Sequence, residues 1–223
     1  MTLIKLKDIQ KSYPDGENRL NRVLQGVDME VRKGEFIAIK GASGSGKTTL
    51  LSILGTLLMP DSGSYFLNNT DMTAPGIDCP LVRNKQIGFV FQDHRLLPQY
   101  TAMENILLPA LAHKSKAGEE EIDYARRLME LARIRGVANQ YPHTLSGGEA
   151  SRVAVCRALI MKPLLVLADE PTGQLDRENA KNIASLLSEI NKDIQTTIVM
   201  ATHSDETSSV AHCILTLKEG KLQ

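Results

Sequence analysis

The residues best suited to chemistry form the stretch GASGSGKT, residues 41–48, between a predicted strand and a predicted helix. The stretch matches the pattern G-x-x-x-x-G-K-[ST] at every fixed position. Its glycines leave backbone N–H groups free to surround a phosphate, and the start of a helix adds the positive end of its dipole. Lys47 would reach the β- and γ-phosphates of a nucleotide, and the Thr48 hydroxyl would bind Mg²⁺. The sequence therefore predicts a nucleoside-triphosphate site here.

A pair of carboxylates ends the apolar stretch LLVLADE, which reads as a buried strand. Asp169 and Glu170 would then lie at the edge of the sheet where open α/β folds bind ligands. Asp169 suits Mg²⁺ binding through a water, and Glu170 could orient or deprotonate an attacking water. The alternative is that the two acids only cap the following turn; beside a phosphate-binding loop we favour the catalytic interpretation.

Three single residues carry weaker signals. Gln92 follows the apolar strand IGFVFQ and could touch Mg²⁺ or water, and His203 ends IVMATH and could contact a γ-phosphate. Tyr13 could stack on an adenine. Taken alone, each of the three is better explained by an ordinary structural role.

The stretch LSGGEASRVAVCRALI, residues 145–160, starts a helix with two adjacent glycines. Ser146 and Glu149 match the S-x-x-E capping box. Gly147 and Gly148 are unexpected, because each glycine in a helix interior costs about 0.8–1 kcal/mol relative to alanine. Bare N–H groups at a positive helix end predict a second anion site, although the chain already has one.

Predicted strands and helices alternate along the chain and must position these residues. They are recognised from apolar residues that recur at strand or helix spacing. Strands are predicted at 3–10, 23–31, 36–40, 64–69, 87–92, 163–170 and 196–203, with a terminal hairpin at 213–222. Apolar residues at helical spacing follow Lys47 and recur at 106–111, 122–132, 153–160 and 178–191. A loop rich in proline, glycine and aspartate is expected before residue 87. This order predicts an α/β sheet with a helical insertion.

Composition limits the possible functions. The 223 residues, 42% of them hydrophobic, suit one large globular domain, and the net charge of +0 argues against a broad nucleic-acid-binding face. The three cysteines lack C-x-x-C spacing, which favours reduced thiols over a disulfide framework or a zinc site. No apolar run approaches the ~18–20 residues that span a bilayer, so any membrane work would need a partner.

Taken in order, the Walker A loop, Gln92, LSGG, LADE, GQLD and His203 resemble the ATP-binding cassette (ABC) ATPases over essentially the whole chain. The resemblance implies a P-loop NTPase core with a mixed sheet, an N-terminal antiparallel β subdomain and a helical subdomain carrying the signature motif LSGG. Residues 1–92 and 162–223 would form the core with the β subdomain, and residues 93–161 the helical subdomain. ATP and Mg²⁺ would be the cofactors.

The resemblance also implies roles for individual residues. Tyr13 would stack on adenine, Glu170 would be the general base and His203 would contact the γ-phosphate. The phosphates would be held by Gly41, Ser43, Gly44, Ser45, Gly46, Lys47, Thr48 and Thr49. Mg²⁺ would be held by Thr48, Gln92 and Asp169.

The signature residues would act on a second copy of the chain. Ser146, Gly147 and Gly148 would contact ATP bound by that copy, and Asp176 would lie in the loop that crosses between the copies. The two glycines would then be an interface feature, silent in a monomer. We expect an ATP-dependent, head-to-tail dimer of ATPases.

Two longer stretches, DHRLLPQYTAMENILLPAL and LADEPTGQLD, look like one branch of the family, which serves lipoprotein release, macrolide-type export and cell division. This implies separate integral membrane permease subunits, a peripheral location at the cytoplasmic face of the inner or plasma membrane, and no nucleic acid partner. Leu96, Leu97, Pro98 and Tyr100 are candidates for the groove that receives the partner, with ordinary core packing as the alternative.

Two other functions remain open at this stage. A soluble ABC ATPase acting on nucleic acid or ribosomes is the main alternative, but the interval from Lys47 to Ser146 is too short for a long coiled coil. A P-loop kinase or nucleotide switch leaves LSGG unexplained. The chain also departs from the family pattern at Ala150 and Ser151, where polar Gln or Arg residues are common, which puts the usual links from the signature helix to neighbouring loops in doubt.

Overall fold

The computed structural model describes residues 1–16, 19–112 and 114–223, and contains two β-sheets. The first is antiparallel, in the order β2-β1-β4-β5, and consists of β1 (Thr2–Pro14), β2 (Leu20–Arg32), β4 (Ser62–Leu67) and β5 (Thr70–Asp71). The second has the order β10-β9-β3-β8-β7-β6 and consists of β3 (Phe36–Lys40), β6 (Ile87–Val90), β7 (Leu165–Asp169), β8 (Thr197–Thr202), β9 (Cys213–Lys218) and β10 (Lys221–Leu222). Neighbouring strands in this second sheet are parallel, except for the antiparallel pair β9 and β10. The predicted mixed sheet and antiparallel β subdomain are confirmed.

The helices connect these strands. They are α1 (Lys47–Leu54), α2 (Cys79–Gln86), α3 (Ala102–Leu107), α4 (Glu119–Leu131), α5 (Gly147–Leu159), α6 (Arg177–Ile194) and α7 (Asp205–Ser208). Short 3₁₀ turns lie at Leu108–Leu111, Arg135–Val137 and Pro142–Thr144. Among the described residues, no helix combines the length and the apolar character that crossing a bilayer requires.

Two local predictions were wrong. The loop expected before residue 87 contains helix α2, which Asp78 caps by accepting a hydrogen bond from the Leu81 N–H. This helix has no buried residue, so it lacks the apolar periodicity by which a sequence reveals a helix. The apolar face at 106–111 is divided between α3 and a 3₁₀ turn, because Pro109 has no N–H and disfavours a helical residue before it.

The two faces of the six-stranded sheet carry two hydrophobic cores. In β3, Phe36 and Ala38 point to a core shared with α3, α4, α5 and α6, and Ile37 and Ile39 point to a core shared with α1 and the antiparallel sheet. This alternation follows from the two-residue period of a strand. The helices between residues 93 and 161 therefore share their core with the central sheet, and the division at 93 and 161 stays a prediction.

A buried asparagine organises the loop between β6 and α3. Asn105 accepts from the Leu97 N–H at 2.8 Å, and its amide nitrogen lies 3.1 Å from the Leu97 carbonyl oxygen and 3.0 Å from those of Tyr100 and Thr101. The side chain is wholly buried. One residue thus satisfies the backbone groups of a loop that has no regular structure of its own.

Replacing Asn105 with alanine is expected to lower the free energy of unfolding by about 2–3 kcal/mol, because it leaves buried backbone groups unpaired. Denaturant unfolding measures this change. The same substitution at Asn21, which is exposed on β2, is the control and should change stability by less than about 0.5 kcal/mol. Equal stabilities of the two variants would contradict the role given to Asn105.

Candidate active site

The phosphate-binding loop joins β3 to α1, as the pattern predicts. Gly46 precedes the first helical residue with a φ of 102°, in the left-handed region that favours glycine. A Cβ atom at this position would lie 2.8 Å from Cγ1 of Val23 on β2. The antiparallel sheet therefore presses on the loop, and only glycine fits both the backbone angle and the space.

Lys47 is the first residue of α1, and it is only 7% exposed. Its Nζ donates to the carbonyl oxygens of Gly41 and Ala42 at 2.8 and 3.1 Å, and lies 3.6 Å from Oε1 of Glu170. A buried ammonium group needs such partners to offset its lost hydration. The lysine thus connects the loop to the carboxylate that follows β7.

A cavity of about 580 Å³ lies against the loop and brings most of the predicted site together. It is lined by Val23, Ser43, Gly44, Gly46, Lys47, Thr48, Thr49, Gln92, Glu170 and His203. All of these except Val23 are predicted site residues. Sequence reasoning missed Val23, because a valine in a strand carries no chemical signal. Val23 lines the cavity only because the two sheets pack together.

The carboxylate of Glu170 is held by His203, and the Glu170 backbone is held by hydrogen bonds of its own. Its Oε2 lies 2.9 Å from Nδ1 of His203 and accepts from the His203 backbone N–H at 3.4 Å. The Glu170 backbone has a φ of 47°, which is uncommon for a residue other than glycine. It is fixed there because its N–H donates to the Ala201 carbonyl at 3.0 Å and its own carbonyl accepts from Gly173 at 3.0 Å. The carboxylate therefore has a defined orientation in the cavity wall.

Asp169 presents a carboxylate whose chemistry suits a cation. Its Oδ1 is buried and, within the part of the chain that the structure describes, has no hydrogen-bond partner. Burial raises the pKa of Asp169, against the effect of the nearby Thr48 hydroxyl. Asp169 and Thr48 line one small cavity together, and Thr48 also lines the larger one with Gln92. A carboxylate, a hydroxyl and an amide with room for water fit Mg²⁺, which usually keeps several water ligands.

The other predicted residues of this half lie outside the cavity lining. Gly41 and Ser45 shape the loop, since a Cβ atom on Gly41 would lie 2.5 Å from Ser45 Oγ. Tyr13 lies on β1, 38% exposed, opposite Asn21 of β2. Its predicted contact with adenine stays a prediction.

The signature residues Ser146, Gly147 and Gly148 also lie outside the cavity. The capping box is present: Ser146 Oγ accepts from the Glu149 N–H at 3.3 Å, and Glu149 accepts from the Ser146 N–H at 2.8 Å. A Cβ atom on Gly148 would lie 2.8 Å from Asn179 Oδ1 of α6. The expectation that both glycines are silent in a monomer is therefore wrong for Gly148, which lets α5 approach α6 within one chain.

Asp176 marks the start of α6. Its side chain is exposed and caps the helix by accepting from the Asn179 N–H at 2.9 Å. The exposed residues Asp176, Ser146 and Gly147 are thus available to a second molecule.

A second cavity of about 440 Å³ lies beside α2, β6 and α5, and we call it the apolar cleft. Leu57, Phe89, Phe91, Pro109 and Met161 line it together with Arg83, Arg95 and Arg157. Leu96, Leu97, Pro98 and Tyr100, the predicted groove residues, do not line it. Leu96 instead packs against the helical core, and the other three are exposed. The prediction that these four residues receive the partner stays a prediction, and the open cleft is formed by residues on either side of that segment.

A phosphate-binding loop, a strand-end carboxylate pair and a strand-end histidine at one edge of a parallel sheet define a P-loop nucleoside triphosphatase. The family model for ABC transporters matches residues 24–173. The chain therefore belongs to the ABC transporter family, as an ATP-hydrolysing ATPase domain.

Related proteins and structures agree with this assignment. The chain is 46% identical over 203 residues to the lipoprotein-releasing system ATP-binding protein LolD 1 of Rhodopirellula baltica, covering 91% of this chain and 88% of that protein. It is 42% identical over 221 residues to LolD of Pseudoalteromonas translucida, covering 99% of this chain and 94% of that protein. It is 38% identical over 220 residues to the macrolide export ATP-binding/permease protein MacB of Rhodopirellula baltica, covering 98% of this chain and 32% of MacB.

Among solved structures, a dimeric post-hydrolysis ATP-binding cassette bound to ADP and Pi is 36% identical, with a TM-score of 0.88, and covers 99% of this chain and 97% of its own. A dimeric bacterial ABC transporter cassette is also 36% identical, with a TM-score of 0.89 and the same coverage. The predicted family, branch and fold class are confirmed, and the nucleic-acid alternative is not favoured.

Replacing Asp169 with asparagine is expected to raise the free energy of unfolding in EDTA at neutral pH. Burial raises the pKa of Asp169 in the folded chain, so its ionised form destabilises that state above the ordinary carboxyl pKa of about 3.9. The gain should therefore shrink as the pH is lowered towards about 4. Denaturant unfolding with and without Mg²⁺ and ATP is the measurement, and the two ligands should stabilise the variant less than the wild type.

The matched control is Asp176→Asn. The Asn179 N–H lowers the pKa of Asp176, so its charge stabilises the folded state and its removal should have the opposite sign. An Asp169→Asn variant that is no more stable than the wild type in EDTA would contradict the interpretation of the Asp169 carboxylate.

Proposed function

We propose that this chain is the ATP-binding subunit of a lipoprotein-releasing or macrolide-type export system. In this proposal two copies close on two ATP molecules and drive separate membrane subunits. The observation that carries the ATPase part is the cavity in which the phosphate-binding loop, Gln92, Glu170 and His203 meet. The names of the LolD and MacB relatives support the choice of system.

In the hydrolytic step, Lys47 exchanges its hydrogen bonds with the Gly41 and Ala42 carbonyls for bonds to phosphate oxygens. A water oxygen attacks the γ-phosphorus while the bond to the ADP oxygen breaks. Glu170 accepts the proton of that water, and His203 keeps the carboxylate oriented through its Nδ1. Thr48, Gln92 and Asp169 would hold Mg²⁺, which would neutralise charge on the phosphates.

A second copy would complete the site. Ser146 and Gly147 are exposed at the positive end of α5, outside the cavity that holds the rest of the machinery. An exposed anion-binding helix start suits the phosphate of a second molecule. A two-fold arrangement uses each such surface once per site, and the related cassettes are dimeric in their structures.

The Glu170→Gln variant tests this function. We expect it to bind ATP and to lose most of its turnover, by at least about 100-fold, because an amide cannot accept the proton. ATP should then convert it from monomer to dimer, as measured by light scattering. Rapid hydrolysis by this variant would remove Glu170 from its role.

A second substitution in the same variant separates binding from closure. Ser146→Arg should leave ATP affinity within about twofold, because Ser146 lies outside the chain's own cavity, and should abolish the ATP-driven dimer. Ser115→Arg, at another exposed serine, is the control and should dimerise normally. If Ser146→Arg weakens ATP binding in the monomer, the shared site is contradicted. Gly148→Asp is less suitable for this test, because a Cβ atom at Gly148 would lie 2.8 Å from Asn179 Oδ1 within the same chain.

The apolar cleft suits the membrane partner. Its aromatic and aliphatic lining can bury the apolar face of a short helix, and its arginines Arg83, Arg95 and Arg157 suit an acidic residue on that helix. Leu57 is 53% exposed at the cleft, far more than a core leucine. We infer that a cytosolic helix of a permease subunit binds here and holds the chain at the cytoplasmic face of the membrane.

Leu57→Glu is expected to abolish copurification with a coexpressed permease subunit, because it places a charge in the apolar cleft. ATP hydrolysis by the isolated chain should stay within about twofold of the wild type, since Leu57 is exposed. Leu20→Glu, at a leucine 69% exposed on β2, is the control and should retain the partner. Equal retention by both variants would exclude the cleft as the docking site.

A further inference from the structure

We propose that His94 is a positioning residue that ties the loop after Gln92 to the signature helix α5 through Ser151. The two parts of the nucleotide machinery would then move as one body. This inference rests on the proposed function, because it concerns how ATP hydrolysis is coupled within it.

The link is a short chain of hydrogen bonds. Nε2 of His94 lies 2.6 Å from Oγ of Ser151, and this hydroxyl lies 3.0 Å from the carbonyl oxygen of Gly147. A carbonyl oxygen only accepts, so the Ser151 hydroxyl donates to Gly147 and accepts from the Nε2–H of His94. The imidazole is thus connected to the backbone of the signature turn through one wholly buried serine.

Arg157 makes a second connection between the same two segments. Its Nη1 donates to the Arg95 carbonyl at 2.6 Å and its Nη2 donates to the His94 carbonyl at 2.5 Å. His94 and Arg95 have φ values of 57° and 47°, in a region that residues other than glycine rarely adopt. Two such residues in succession need external support, and the guanidinium group supplies it.

Both ends of this hydrogen-bonded link lie close to residues of the proposed nucleotide site. Gln92, two residues before His94, lines the nucleotide cavity, and Gly147 belongs to the signature motif. Arg95 and Arg157 line the apolar cleft. Movement of a partner in the cleft would therefore reach the Gln92 loop and α5 together.

The same geometry gives a role to Ser151, one of the two positions at which the chain departs from the family pattern. The side chain at this position is a small, wholly buried hydroxyl. A buried serine has no reach of its own, so the connection comes from the other side, through the imidazole of His94. The link therefore belongs to this pair of residues, and both must be present for it to form.

Steady-state ATP hydrolysis by purified His94→Phe and His94→Gln tests the link. His94→Phe should lower kcat about five- to tenfold, the effect of losing one hydrogen bond, with the KM for ATP within about twofold. His94→Gln should restore at least about half of the wild-type kcat, because the glutamine amide places a donor near the position of Nε2. His143→Phe, at an exposed histidine on the 3₁₀ turn before the signature, is the control and should be unchanged.

A double-mutant cycle with Ser151→Ala checks that the two side chains act through each other. If they do, Ser151→Ala and the double variant His94→Phe/Ser151→Ala have the same reduced kcat as His94→Phe. ATP-driven dimerisation in the Glu170→Gln variant should be weakened by the same substitutions. Thermal unfolding confirms folding, and if His94→Phe does not fold, the cycle is run with His94→Ala.

Independent, multiplicative effects of the two substitutions on kcat would overturn the link. A kcat of His94→Phe equal to that of the wild type, a loss explained by KM, or no rescue by glutamine would overturn it as well. These results differ from a failure of the proposed function, in which the wild-type chain itself would hydrolyse no ATP.

Discussion

The buried ammonium of Lys47 is the interaction on which the site depends. A cation at this depth must be surrounded by oxygens, and the chain provides two carbonyls of its own loop and the carboxylate of Glu170. The loop can wrap around the lysine only because Gly46 adopts a left-handed backbone beneath Val23. The buried charge of Lys47 therefore holds three parts of the chain in fixed positions: the antiparallel sheet, the phosphate-binding loop and the end of β7.

The two glycines of the signature motif have different surroundings. Gly148 allows α5 to approach the start of α6, and Gly147 remains exposed beside the capping serine. Of these two adjacent glycines in one helical turn, Gly148 thus serves packing within the chain and Gly147 is accessible to a second molecule. The weakened helix start is stabilised by the capping box and by the close approach of α6, rather than by helix propensity.

The segment between β6 and α3 connects these features. It has little regular structure, and its backbone is held by Asn105 on one side and Arg157 on the other. Sequence reasoning identified the start of this segment from Gln92 but assigned the partner groove to its apolar residues. Leu96 packs against the helical core, and the open cleft beside this segment is formed largely by side chains in or next to α2, β6 and α5. Such a surface depends on which elements become neighbours, and no local pattern records that.

The sequence by itself determined the local chemistry: the phosphate-binding loop, the carboxylate pair after β7, the capping box and the alternation of strands and helices. These features depend on residues close together in the chain, so their spacing is readable without a structure. Helix α2 escaped detection because it buries no face, and Val23, His94 and Arg157 escaped because their roles depend on distant partners. Only the tertiary structure decided that β2 closes the nucleotide cavity and that His94 meets Ser151, since both contacts join segments far apart in the sequence.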